Sequence, residues 1–253
     1  MNIQEMLLLI SIGFVALAVS AQENIPRGTI IPVSLNSSLS SRKSKPGQPI
    51  SARVAQDVPL PIGMKIREGA RITGHVVQVT PATQGAAAHI SFVFDRVVAS
   101  KKTLPITTNL RAIASPTEVE STQIPTMGMG CGDTWESRTT VQVGGDVVYW
   151  GGGPVDNSSG PVGKPVIGTT GGLVRVTAKP GSPCQGEVDE NQGPQALWVF
   201  SSDACGVYRL GDTTIAHAGR TKPVGVIELG SQNGQVKVPS GSGMLLRVIG
   251  SQE

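Results

Sequence analysis

Charge is scarce in this sequence. Only 15% of its 253 residues are Asp, Glu, Lys or Arg, and the formal net charge is +3. Surfaces that bind nucleic acid gather basic side chains into a dense stripe. None is present: Arg42, Lys43 and Lys45 of "SRKSK" read as a soluble turn, and nucleic acid is not an expected partner. Aromatics are scarcer still, at 4%. Helical periodicity is missing from Ile25 to Ile113, where no segment sustains apolar residues at i, i+3, i+4 and i+7 between caps. A helical domain is thereby excluded there. Metal-binding signatures are absent too. The three histidines, His75, His89 and His217, form no His-x-x-x-His pair, and the three cysteines form no Cys-x-x-Cys pair. The histidines read as scattered surface or strand-edge residues, and no metal, cofactor or catalytic residue is expected.

What is present is glycine (32) and proline (18) between short apolar runs. Both residues disfavour helix interiors and supply turns. "GTIIPVSL" places Ile31, Val33 and Leu35 on one face, and "AAAHISFVFDRVV" does the same for Ile90, Phe92 and Phe94. The expected fold is all-β: a small barrel or sandwich of short strands with a glycine-rich, loop-dominated insertion. Residues 22–114 form the N-terminal β region and 115–205 the insertion. Strands of 206–253 could complete the first sheet.

Residues 1–21 carry "MLLLISIGFVALAVSA", an apolar core of about 14 residues ending in Val19-Ser20-Ala21, and read as a cleaved signal peptide. An uncleaved anchor is the alternative; after cleavage no spanning helix is expected. Export to the periplasm or outer envelope puts Cys131, Cys184 and Cys205 where pairing is allowed. Three pairings are open, as is a reduced state. Cys184–Cys205 is favoured because the two flank "ALWVFSS".

Several local motifs fall short of chemistry. "PSGSGM" has Ser240 where a nucleophile elbow needs its first glycine, and no helix pattern follows Ser242. "GMGCGD" lacks the lysine or hydroxyl of a phosphate loop. Glu187, Asp189 and Glu190 lack the alternating oxygens of an EF-hand. Trp135, Tyr149 and Trp150 are candidate contacts for a glycan or a protein partner, whereas Trp198 in "ALWVF" reads as core.

One phrase occurs twice. "IPRGTII", from Ile25, and "IREGARI", from Ile66, both read Ile-x-x-Gly-x-x-Ile. Glycine at Gly28 and Gly69 would allow a sharp turn into a strand, with the isoleucines planted in the core. Together with Leu39-Ser40-Ser41, Lys45-Pro46-Gly47, Val54, Asp57-Val58 and Gly74, this stretch resembles the barrel domain of TrbI-type proteins, channel components of bacterial conjugation and type IV secretion. The resemblance spans roughly residues 25–110. It implies a barrel outside the inner membrane that works by protein contact rather than catalysis. The barrel region holds no apolar helical pair that could act as an outer-membrane antenna. The expectation is therefore a stand-alone exported structural or interaction module, whose partners are envelope proteins or further copies of itself. A glycan-binding β protein is the alternative, and a secreted hydrolase the third reading.

Overall fold

A period of two requires Ile90, Phe92 and Phe94 to share a face, and all three are buried, with the two phenylalanine rings edge to face at 5.8 Å. Each such side chain contributes about 1.5–3 kcal/mol by leaving water. The computed structural model describes residues 24–99, 102–124, 126–127, 138–150, 154–157, 159–166, 171–178, 180–184, 191 and 193–250, with backbone alone at 126–127, 138–139 and 149–150. The expected signal segment lies outside them. Among the described residues no helix is long and apolar enough to cross a membrane.

The larger sheet has ten strands. In chain order they are β1 (Ile30–Leu35), β2 (Pro49–Val54), β3 (Arg71–Thr80), β4 (Ala88–Ala99), β5 (Lys102–Pro105), β6 (Thr107–Ala114), β7 (Gly206–Tyr208), β8 (Thr213–Ile215), β9 (Ile227–Ser231) and β10 (Gly243–Gly250). Their spatial order is β7-β6-β10-β1-β2-β3-β4-β9-β8, with β5 on β4. Among the described residues of this sheet, β7–β6 is the one parallel pair. The last strand of the chain thus lies between β1 and β6. Ile106 N–H donates to Asp95 O at 2.9 Å and the Thr108 hydroxyl donates to Phe94 O at 3.2 Å, curling the start of β6 back onto β4. No ladder joins β4 to β6 among the described residues. The fold is all-β and sandwich-like, without a closed barrel.

A seven-stranded antiparallel meander runs from Thr126–Met127 to Gln195–Ala196. It packs against the outer side of β1, β6 and β10, where Ile30, Ala112 and Leu245 join Val148, Leu197 and Phe200 in a second apolar cluster. Two buried glutamines stitch the sheets together. Gln195 Oε1 accepts from Ile30 N–H at 2.9 Å, and Gln56 Oε1 accepts from Trp198 N–H at 2.6 Å. Cys184 and Cys205 are joined by a disulfide across 21 positions, with Cα atoms 6.0 Å apart. A loop of this length contributes about 3 kcal/mol in the chain-entropy account. Beside it the buried Arg111 donates to Ala204 O at 3.1 Å and to Thr177 O at 2.7 Å, tying the bridged segment to β6.

The doubled phrase corresponds to a recurring device. Thr29 N–H donates to Pro26 O and Ala70 N–H to Arg67 O, each closing a four-residue turn. Gly28 (φ +83°) and Gly69 (φ +81°) occupy the third position, which in such turns requires positive φ. Each glycine N–H then docks on a neighbouring strand: Gly28 on Val248 O and Gly69 on Val54 O, both at 2.8 Å. Each of those valines donates back to the residue after the glycine, at 2.9 and 2.8 Å. The same set of bonds recurs at Lys45–Gln48, which docks on Val76, and at Pro239–Ser242, which docks on Leu35. The four turns form two reciprocal pairs, β1 with β10 and β2 with β3. Ile25, Ile31, Ile66 and Ile72 are all buried in the main core.

A Cβ on Gly69 meets open space, so Gly69→Ala carries only left-handed strain, about 1–2 kcal/mol. A Cβ on Gly28 would lie 2.8 Å from Asn191 N, and one on Gly74 would lie 1.8 Å from Val93 O. Urea denaturation should rank the losses Gly69→Ala, then Gly28→Ala, with Gly74→Ala failing to assemble the β3–β4 ladder.

Lys65 donates to the Asp57 carboxylate and Glu68 N–H donates to it at 2.8 Å, bracing the Gly69 turn. These bonds, the Lys65 one foremost, hold Asp57 below the ordinary aspartate value. Asp212 is lowered as well, by Asn233 N–H and then by the Ser231 hydroxyl. A folded pKa below the unfolded one stabilises above the unfolded value, and the gain disappears as pH falls through the folded value. Asp57→Asn and Asp212→Asn should therefore be less stable than the parent at pH 7. In acid titrations below pH ~4 they should lose less further stability than the parent does.

Candidate functional site

Inward placement of Ile90, Phe92 and Phe94 turns His89, Ser91, Val93 and Asp95 to the opposite face of β4. Register then assembles a polar row. On β3, His75 pairs with Val93, Gln78 with Ser91 and Thr80 with His89, with an irregularity between Val76 and Gln78 that leaves Val77 unpaired. On β9, Glu228 pairs with Ser91 and Gly230 with His89. The His89 ring lies against Gly230, at 3.4 Å from where a Cβ would stand.

The segment linking β8 to β9 borders this face. Ala216 N–H donates to Glu228 O, and Leu110 N–H donates to Ala218 O, both at 2.9 Å. His217 Nε2 consequently lies 2.9 Å from Glu228 Oε2, and His89 Nδ1 lies 3.3 Å from Glu228 Oε1. Thr221 Oγ1 is 2.8 Å from His217 Nδ1. Nearby, His75 Nδ1 is 3.6 Å from Asp95 Oδ2. Two cavities result, sharing Val77 and Val226. The smaller, about 250 Å³, is lined by Gln78, Thr80, His89, Ser91, His217 and Glu228. The larger, about 540 Å³, runs past His75, Asp95, Ile106 and Val224.

This corrects the reading of the histidines as scattered. Residues 89, 217 and 228 meet because β9 pairs with β4 across more than a hundred positions, a register that no local motif encodes. Chemically the cluster offers a carboxylate contacted by His217, with His89 Nδ1 nearby but not hydrogen-bonded, and the order hydroxyl, imidazole, carboxylate. Among the described residues no group of three His, Cys, Asp or Glu side chains is placed to hold a metal ion.

The other sequence candidates separate. The Cys184–Cys205 bridge lies at the junction of the two sheets, away from the groove residues. Tyr149 and Trp150 end the strand Val147–Trp150; their side chains, like Trp135, Cys131, Glu187, Asp189 and Glu190, lie outside the described residues. Trp198 departs from the core role expected for it. It packs on the second apolar cluster but stays partly exposed, at a left-handed φ of +52°. No family model and no curated protein matches the chain.

Proposed function

We propose that the protein is an exported, non-enzymatic β module of a bacterial envelope, which works by holding a segment of another envelope protein. The observation that carries this reading is the larger groove. Val77 and Val224 line it while staying 39% and 53% exposed. Apolar side chains presented beside polar ones characterise recognition surfaces. The signal-like segment 1–21 and the bridged cysteines suit an oxidising compartment. The resemblance to TrbI-type barrels favours contact over catalysis.

The test uses the mature protein as bait in envelope extracts, beside a Val77→Asp/Val224→Asp variant of unchanged melting behaviour. The parent should retain a defined partner in stoichiometric amount and the variant should lose it. Equal retention by both proteins would sink the reading.

His217, between Glu228 and the Thr221 hydroxyl, favours a second reading as a hydrolase, since an acid-oriented imidazole activates hydroxyl nucleophiles. Incubation with a fluorophosphonate probe separates the two. The interaction module stays unlabelled, whereas a Thr221 adduct that His217→Ala abolishes would establish the hydrolase.

A further inference from the structure

A second site stands apart from the groove, where the two sheets meet. Trp198 is held in a backbone conformation that side-chain-bearing residues rarely adopt, and such strain persists only where the surroundings enforce it. Here they do so through three fixed elements. The fully buried Gln56 accepts from Trp198 N–H at 2.6 Å. Gly171 lets the Trp198 backbone approach so closely that a Cβ there would stand 2.4 Å from Trp198 Cα. Gly243 makes room for the indole, whose Cζ3 lies 3.2 Å from the position a Cβ would take.

The pose sets the indole at the wall of a pocket of about 440 Å³, within the usual range for small-ligand sites. Around it stand Ser34, Arg53, Glu68 and Gln123. Among the described residues neither the Arg53 guanidinium nor the Glu68 carboxylate has an ion-pair partner, although both line one pocket. Gln123 donates to Val119 O through Nε2, so its Oε1 remains available as an acceptor. A flat apolar ring beside a fork of donors, a carboxylate, a hydroxyl and an amide oxygen matches a pyranose, whose C–H face stacks while its hydroxyls bond at the rim.

The geometry points to a saccharide-binding site at Trp198, taking one or two sugar rings of an envelope glycan, with Arg53 holding hydroxyl or acidic substituents and Glu68 accepting from hydroxyls. An extended peptide fits less well. β1 and β2 are both interior strands, paired on either side, so no free edge is offered for a peptide to extend.

Saturation-transfer NMR and calorimetry on the full mature chain test the site. The probes are an N-acetylglucosamine–N-acetylmuramic acid disaccharide, chitobiose and maltose, each up to about 10 mM, with a proline-rich peptide as the competing arm. At least one saccharide should bind. Arg53→Ala and Glu68→Gln, both exposed and structurally silent, should each weaken it about tenfold. Trp198→Phe should weaken it less than Trp198→Ala. Absence of saccharide binding, binding unaffected by Arg53→Ala and Glu68→Gln, or binding of the peptide alone would each overturn the proposal. None of these outcomes depends on the groove at Val77, so this site and the protein-holding reading can fail separately.

Discussion

The architecture depends on one conformational permission, positive φ at the third residue of a turn. A side-chain-bearing residue there is driven against the following carbonyl, and glycine is not. Four turns in this chain use that freedom identically, and each then spends its glycine N–H on the neighbouring strand rather than on water. Because the docking valine or leucine donates back, a turn and the end of its partner strand become a single hydrogen-bonded unit. The β1–β10 and β2–β3 pairs are clamped at both ends in this way. Slippage by one residue would break these bonds and also turn Ile31, Ile72 and their neighbours out of the core.

Clamped register has a consequence on the opposite face. With β3 fixed against β2, the irregularity beyond Val76 has to be accommodated against β4, and Val77 is pushed outward beside His75. The groove is therefore built by the same constraint that orders the core. Loop 216–226 completes it, held by main-chain bonds to β6 and β9 and by the His217–Glu228 contact. A wall pinned at this many points presents its valines in a fixed geometry.

Much of the fold was legible because it is written in local grammar. Period-two alternation announced β1 and β4, and glycine followed by a β-type run announced the turns at Gly28 and Gly69. Pro46-Gly47 and Ser240–Gly243 also read as turns, but not as copies of the same one: Gly47 keeps the isoleucine three residues on, Ile50, without the one before it, and Gly241 has neither, although the hydrogen bonds are the same. The groove was not legible. Its chemistry depends on pairing between β4 and β9 and on a bulge, both non-local, so three histidines that are distant in sequence gave no sign of converging on one face. Trp198 misled for a different reason. An aromatic inside "ALWVF" has the composition of a core strand, yet the ladder ends at Ala196 and the chain turns left-handed two residues later.

The resemblance to TrbI-type barrels can be placed in the same terms. Several of its words, Gly28, Lys45-Pro46-Gly47, Asp57-Val58 and Gly69, are turn glycines or the carboxylate that braces one of those turns. They specify how strands are joined and say little about what a surface holds. Specificity has to come from residues that the shared phrases leave out, such as the exposed valines, the histidine row and, at the Trp198 pocket, Arg53, Gln123 and Trp198 itself. A protein can thus keep a strand-joining grammar while its outer faces change, since substitutions on those faces leave the reciprocal glycine bonds intact. On this chain clamp and surface meet at the Trp198 pocket, whose lining includes Glu68 and Gly69 of one turn and Val54, on which that turn docks, so the turn grammar shapes that surface without naming what it holds.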